Sequence, residues 1–174
     1  MKNLKKYLII AFLLALIFSI FGCKKDENIQ RASEANKIII SSYFSDTSLE
    51  VPPYLLGSFT LEGKIYVNIY KGENINSSGL KLEIEQLLVN YCDILEFNYY
   101  TYEELYKKLV DLKAEIKMSG FSKYIINLDI NKLTGRCILG VSNGSALDLK
   151  PHIDAFSSSS GIYILLEQWE VYLD

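Results

Sequence analysis

Several things are scarce in this chain of 174 residues, and each scarcity excludes a class of explanation. Three cysteines exclude a disulfide-dense miniprotein. Three prolines and ten glycines exclude a collagen-like or low-complexity chain. Histidine occurs once, as His152 directly after Pro151 in a short helix, where it reads as a surface or packed residue, and there is no G-x-S-x-G elbow to supply a nucleophile. There is no excess of positive charge. Lys2, Lys5 and Lys6 carry the only charges of the first 22 residues, so 15 basic and 21 acidic side chains remain from Cys23 on, a net of −6. That balance gives no electrostatic reason to expect nucleic acid as a partner.

What is present at the N-terminus reads as an address. Three lysines precede an apolar run from Tyr7 to Phe21, followed by Gly22-Cys23. The run is shorter than the ~20 residues that cross a bilayer as a helix, and its flanks are those of a secretory signal. Ile20-Phe21-Gly22-Cys23 resembles the lipobox of bacterial lipoproteins. The resemblance implies cleavage behind Gly22, a diacylglyceryl group on Cys23, and a protein held at the extracytoplasmic face of the cell membrane. Two acyl chains anchor stably where one would be reversible.

Residues 1–22 are thus expected to be a cleaved signal, 23–53 a polar tether and lead-in segment, and 54–174 a compact α+β domain. Pro52-Pro53 marks the entry to that domain. Gly57–Leu61 and Lys64–Tyr70 alternate apolar and polar residues around Glu62-Gly63, a hairpin pattern. Leu80, Ile84, Leu87, Leu88 and Tyr91 fall at helical spacing, and Ile94–Tyr100 reads as a strand. Thr101-Tyr102-Glu103-Glu104 fits a capping box, with Leu105, Leu109, Leu112 and Ile116 as the apolar stripe behind it and Ser119-Gly120 as the stop. Tyr124–Ile130 and Arg136–Val141 form a second hairpin, Ala146–Phe156 a short helix containing Pro151, Ser157–Gly161 a serine-rich loop, and Ile162–Leu173 a last strand. The order is ββαβ, a linking helix, and ββαβ again. A duplicated unit is therefore expected, with antiparallel hairpins covered by helices, Ile65, Leu80 and Ile94 matching Cys137, Leu147 and Ile162.

Leu56-Gly57-Ser58-Phe59 with Gly63, Ile65 and Val67, and then Tyr100-Thr101-Tyr102-Glu103-Glu104-Leu105, resemble two motifs of small secreted bacterial domains. Such domains occur alone or as pro-regions of alpha-lytic-type serine proteases. The resemblance implies a two-lobed, non-catalytic domain that binds a protein, and it carries over no catalytic residue.

No metal or cofactor is implied. Asp129-Ile130-Asn131 with Gly135 echoes a calcium loop but lacks its later ligands, and reads as a hairpin turn. Glu103 and Glu104 suit a helix N-terminus. Cys92 and Cys137 are expected as two packed thiols rather than a disulfide. Thirteen tyrosines are present, and Tyr99, Tyr100 and Tyr102 stand out as a binding surface. The functional expectation is a non-catalytic protein-interaction domain with a protein partner. The alternative is a receptor for a small ligand or cell-wall saccharide, and a tyrosine-lined pocket would favour it.

Overall fold

A computed structural model describes residues 26–45, 51–72, 78–142 and 144–169; the signal segment, Cys23 and position 143 lie outside them. The fold is α+β. A first helix, α1, occupies residues 26–43. Then come β1 (Leu55–Leu61), β2 (Lys64–Tyr70), α2 (Ser78–Leu87), β3 (Leu95–Tyr100), α3 (Tyr102–Met118), β4 (Ile125–Ile130), β5 (Cys137–Ser142), α4 (Ala146–Ser160) and β6 (Ile164–Trp169).

The strands make two three-stranded sheets, β1-β2-β3 and β4-β5-β6. In each, a hairpin is antiparallel and the third strand adds in parallel to the hairpin's second strand. Even the irregularity repeats: register shifts between Leu55 and Gly57 in β1, and between Ile125 and Asn127 in β4. The hairpins differ in their turns. Glu62 (φ 51°) and Gly63 (φ 77°) form a two-residue turn with both residues left-handed, which matches the twist of the flanking strands. Between β4 and β5 a longer turn is pinned by Asn131, whose Oδ1 accepts from the backbone N–H of Leu133 and Thr134. That is the hairpin turn expected at the calcium-like sequence.

The duplication is therefore real, and it is larger than ββαβ. Leu80 and Ile84 of α2 are buried, as are Leu149 and Ile153 of α4. The same spacing separates Leu80 from Leu149, Ile84 from Ile153 and Leu95 from Ile164. Leu147, expected as the counterpart of Leu80, is 81% exposed. The matched helices also share an ion pair, Lys81 with Glu85 at 3.6 Å and Lys150 with Asp154 at 3.2 Å.

Helix α1 corrects the expected tether. Its sequence is polar, but Ala32, Ala35, Ile39 and Tyr43 recur at helical spacing and are buried. Ala35, Ile39 and Tyr43 pack with Leu55, Ile65, Val67, Ile69, Leu80, Ile84 and Leu88 into the core of the first unit. The Arg31 guanidinium clasps both carboxylate oxygens of Asp93 at 2.7 and 2.8 Å. The packed body thus extends upstream of residue 54. α1 is to the first unit what α3 is to the second, so each repeat is αββαβ and α3 is no mere linker.

In the second unit Leu105, Leu109, Leu112 and Ile116 of α3 pack with Cys137, Leu139, Val141, Leu149 and Ile153. The capping box forms as expected: Thr101 Oγ1 accepts from the Glu104 N–H at 3.3 Å, and Glu104 Oε2 accepts from the Thr101 N–H at 2.8 Å. The serine-rich segment is the end of α4 rather than a loop. The hydroxyls of Ser159 and Ser160 donate to the Phe156 carbonyl, Ser157 is buried, and Gly161 closes the helix in the left-handed conformation.

Candidate functional site

The two units meet along a seam that no local pattern announces. Asn68, buried in the central strand β2, donates to the carbonyls of Ser160 and Gly161 at 2.9 and 2.8 Å. Its own Oδ1 accepts from Asn98 at 3.1 Å, so both ends of the buried amide are satisfied. The Tyr163 N–H donates to Leu56 O at 2.7 Å and the Tyr54 N–H to Thr134 O at 3.0 Å. Tyr70 Oη donates to Lys132 O at 3.1 Å. Two glycines make the approach close enough. A Cβ on Gly135 would lie 2.4 Å from the Tyr70 ring, and one on Gly161 2.6 Å from Phe59 and 2.7 Å from Asn68 Nδ2.

Where the seam opens, a pocket of about 370 Å³ lies between the end of α1 and the starts of β1, β5 and β6. Phe44 and Tyr163 stack directly on each other in its wall, centroids 4.1 Å apart and planes 23° from parallel. Val51, Leu55, Leu56 and Leu165 supply apolar wall. Tyr43 donates to Glu83 Oε1 at 2.6 Å; burial, and then that carboxylate, hold its phenol above the ordinary range. Among the described lining residues the single cation is Arg136, half-buried, with one Nη donating to the Val51 carbonyl at 2.7 Å. Cys137 lines the same pocket, and burial pushes its thiol up to about 12, so it stays protonated at neutral pH and packs rather than attacks.

The tyrosines singled out from sequence do not form one surface. Tyr99 and Tyr100 are neighbours on a strand and point to opposite faces. Tyr99 is exposed beside Lys81, Leu82 and Glu85 of α2. Tyr100 and Tyr102 are half-buried against the second unit's core, and Tyr102 lies along Tyr106 with Lys132 over its ring at 5.0 Å. Cys92 is exposed and Cys137 buried, both as free thiols, so only one of the pair is packed. His152 is half-buried with its ring tilted against Phe121 at 5.4 Å. Among the described residues no three His, Cys, Asp or Glu side chains are grouped to hold a metal.

Sequence reasoning passed over the residues that do converge, namely Tyr43, Phe44, Arg136 and Tyr163. Three separate segments bring them together, and only the packing of one repeat on the other makes them neighbours. No protein-family model matches the chain, and no curated protein resembles it significantly.

Proposed function

We propose that the chain is a lipoprotein, acylated on Cys23 behind its signal, whose folded part is a non-catalytic binding module at the outer face of the cell membrane. Of the two expectations, a protein-interaction surface and a small-ligand receptor, the geometry favours the receptor. The observation that carries this is the seam pocket: a volume in the small-molecule range, aromatic and aliphatic walls, and one guanidinium with donors to spare. Apolar walls suit a saccharide poorly, since a sugar needs many convergent hydrogen-bonding groups. They suit a compact apolar or aromatic molecule carrying an anionic group, which Arg136 would orient by a charge-assisted hydrogen bond.

The test uses 1-anilinonaphthalene-8-sulfonate, an aromatic anion of that class, titrated into the full chain by fluorescence. One saturable site is expected. Arg136→Gln weakens it by roughly tenfold or more, the usual value of a charged hydrogen bond, and Leu165→Trp blocks it by filling the mouth. Binding unchanged in both variants contradicts the reading. A second reading, strand addition, rests on β3, which among the described residues pairs only with β2 and leaves its other edge open.

A further inference from the structure

Helix α1 changes what a lipid on Cys23 would do. Three residue steps separate Cys23 from Asp26, and they span at most about 11 Å even when fully extended. From residue 26 the chain is helix, exposed through residue 30 and buried in the domain from Ala32 on. The folded body is therefore on a short leash, and one end of it is held at the lipid.

That end is identifiable. The first turn of α1 abuts the β1–β2 turn: a Cβ on Gly63 would lie 3.0 Å from Asn28 Cβ and 3.5 Å from the Ile29 nitrogen. Arg31 reaches from α1 to Asn90 O at 3.0 Å and to Asp93, fixing the short 3-10 turn Val89–Tyr91 to the same end. Three large apolar side chains project into solvent there: Ile29 at 47% exposure, Leu61 at 53% and Val89 at 66%. They come from a helix, a hairpin and a 3-10 turn, none of which needs an exposed apolar residue for its own folding. Arg31 and Lys64 are ion-paired with Asp93 and Glu96, while Asp26, Glu27 and Glu62 are exposed acids. These described residues give no net attraction to anionic headgroups; what they offer a bilayer is apolar contact.

We infer that this end of the first repeat is a membrane-contact face, on which Ile29, Leu61 and Val89 enter the headgroup boundary of the bilayer that holds the Cys23 acyl chains. The inference rests on the lipoprotein reading above. It also sets the distance of the pocket from the bilayer. Eighteen helical residues run about 27 Å, and Tyr43 and Phe44 at the far end of α1 line the pocket, which accordingly lies at the other end of the helix from the contact face.

The experiment uses the full-length, membrane-purified protein with Cys92→Ser, reconstituted in phosphatidylcholine–phosphatidylglycerol vesicles with and without chain-brominated lipid. Single Leu61→Cys, Val89→Cys and Leu133→Cys variants carry a bimane label; Leu133, 79% exposed, sits on the hairpin turn at the opposite end. Bromine is expected to quench the labels at 61 and 89 at least twofold and to leave 133 unchanged. Equal quenching at the three positions, or none at 61 and 89 while the intact mass shows an acylated Cys23, overturns the contact face. An intact mass without diacylglyceryl overturns the lipoprotein reading itself, and the two failures are thereby told apart.

Discussion

The two αββαβ repeats are alike where each builds its own layer and unlike where they touch each other. Strand order, the bulge in the first strand, the buried pair Leu80/Ile84 against Leu149/Ile153, and the helical ion pair all recur. The seam residues do not. Asn68 and Gly140 hold the same place just past the bulge, and so do Tyr70 and Ser142 at the end of the central strand. The Leu80-to-Leu149 spacing sets Gly161 against Cys92. The reaching turn of the second hairpin stands against the two-residue turn at Glu62-Gly63. Shared residues make a stable unit; unshared ones join two units. The second sheet has Gly140 and Ser142 in those two places and so lacks the two side chains that make the seam.

Breaking the seam at Gly161, which also caps α4, has the largest expected effect. Gly161→Ala puts a side chain at φ 64° and forces its Cβ against Phe59, Asn68 and the Ser58 carbonyl carbon. Left-handed strain of about 1–2 kcal/mol and overpacking of about 1–3 kcal/mol together predict a loss of ~2–5 kcal/mol in urea unfolding. Gly120→Ala is the control. It is equally left-handed at φ 83° but meets nothing within 4 Å, so only the backbone cost of about 1–2 kcal/mol applies. Equal losses in the two variants would mean the seam is not close-packed.

A smaller effect reports the burial of Cys137 through pH. Cys137 has its folded value raised by burial from about 9 to about 12. A raised folded value gives stability that is complete below the unfolded pKa and is lost as pH rises toward the folded one. Between pH 8 and 10.5 the wild type should therefore lose about 1–2 kcal/mol more than Cys137→Ala, at 1.36 kcal/mol per unit. Tyr43, also raised by burial, adds alkaline loss in both proteins and does not cancel the difference. Identical slopes would show that the Cys137 thiol reaches water.

Much of each layer was legible because it is written locally. The hairpin at Glu62-Gly63, the Thr101–Glu104 capping box, the Leu105–Ile116 stripe and the ββαβ order all follow from spacing within about twenty residues. Helix α1 was hidden because its buried face begins with Ala32 and Ala35, too small to register as an apolar stripe beside Lys, Asp, Glu and Asn. The end of α4 was hidden because serine has a weak helix propensity; backbone-directed hydroxyls and the Gly161 cap hold it instead. The pocket was not legible at all. Phe44 and Tyr163 stack from opposite ends of the chain, and Arg136 is placed by a bond to the Val51 carbonyl, so each residue in isolation carries no sign of the site.

The central claim is that residues 26–43 are a structural helix of the first repeat and not a tether. Amide hydrogen exchange of the full chain, read by mass spectrometry, tests it most directly. Peptides covering Ala32–Tyr43 should be protected to the same degree as those covering Leu105–Ile116 of α3, since both helices bury a full stripe against their sheets. Exchange of Ala32–Tyr43 at the rate of an unstructured peptide, with α3 still protected, would contradict the duplicated αββαβ architecture and the short leash that depends on it.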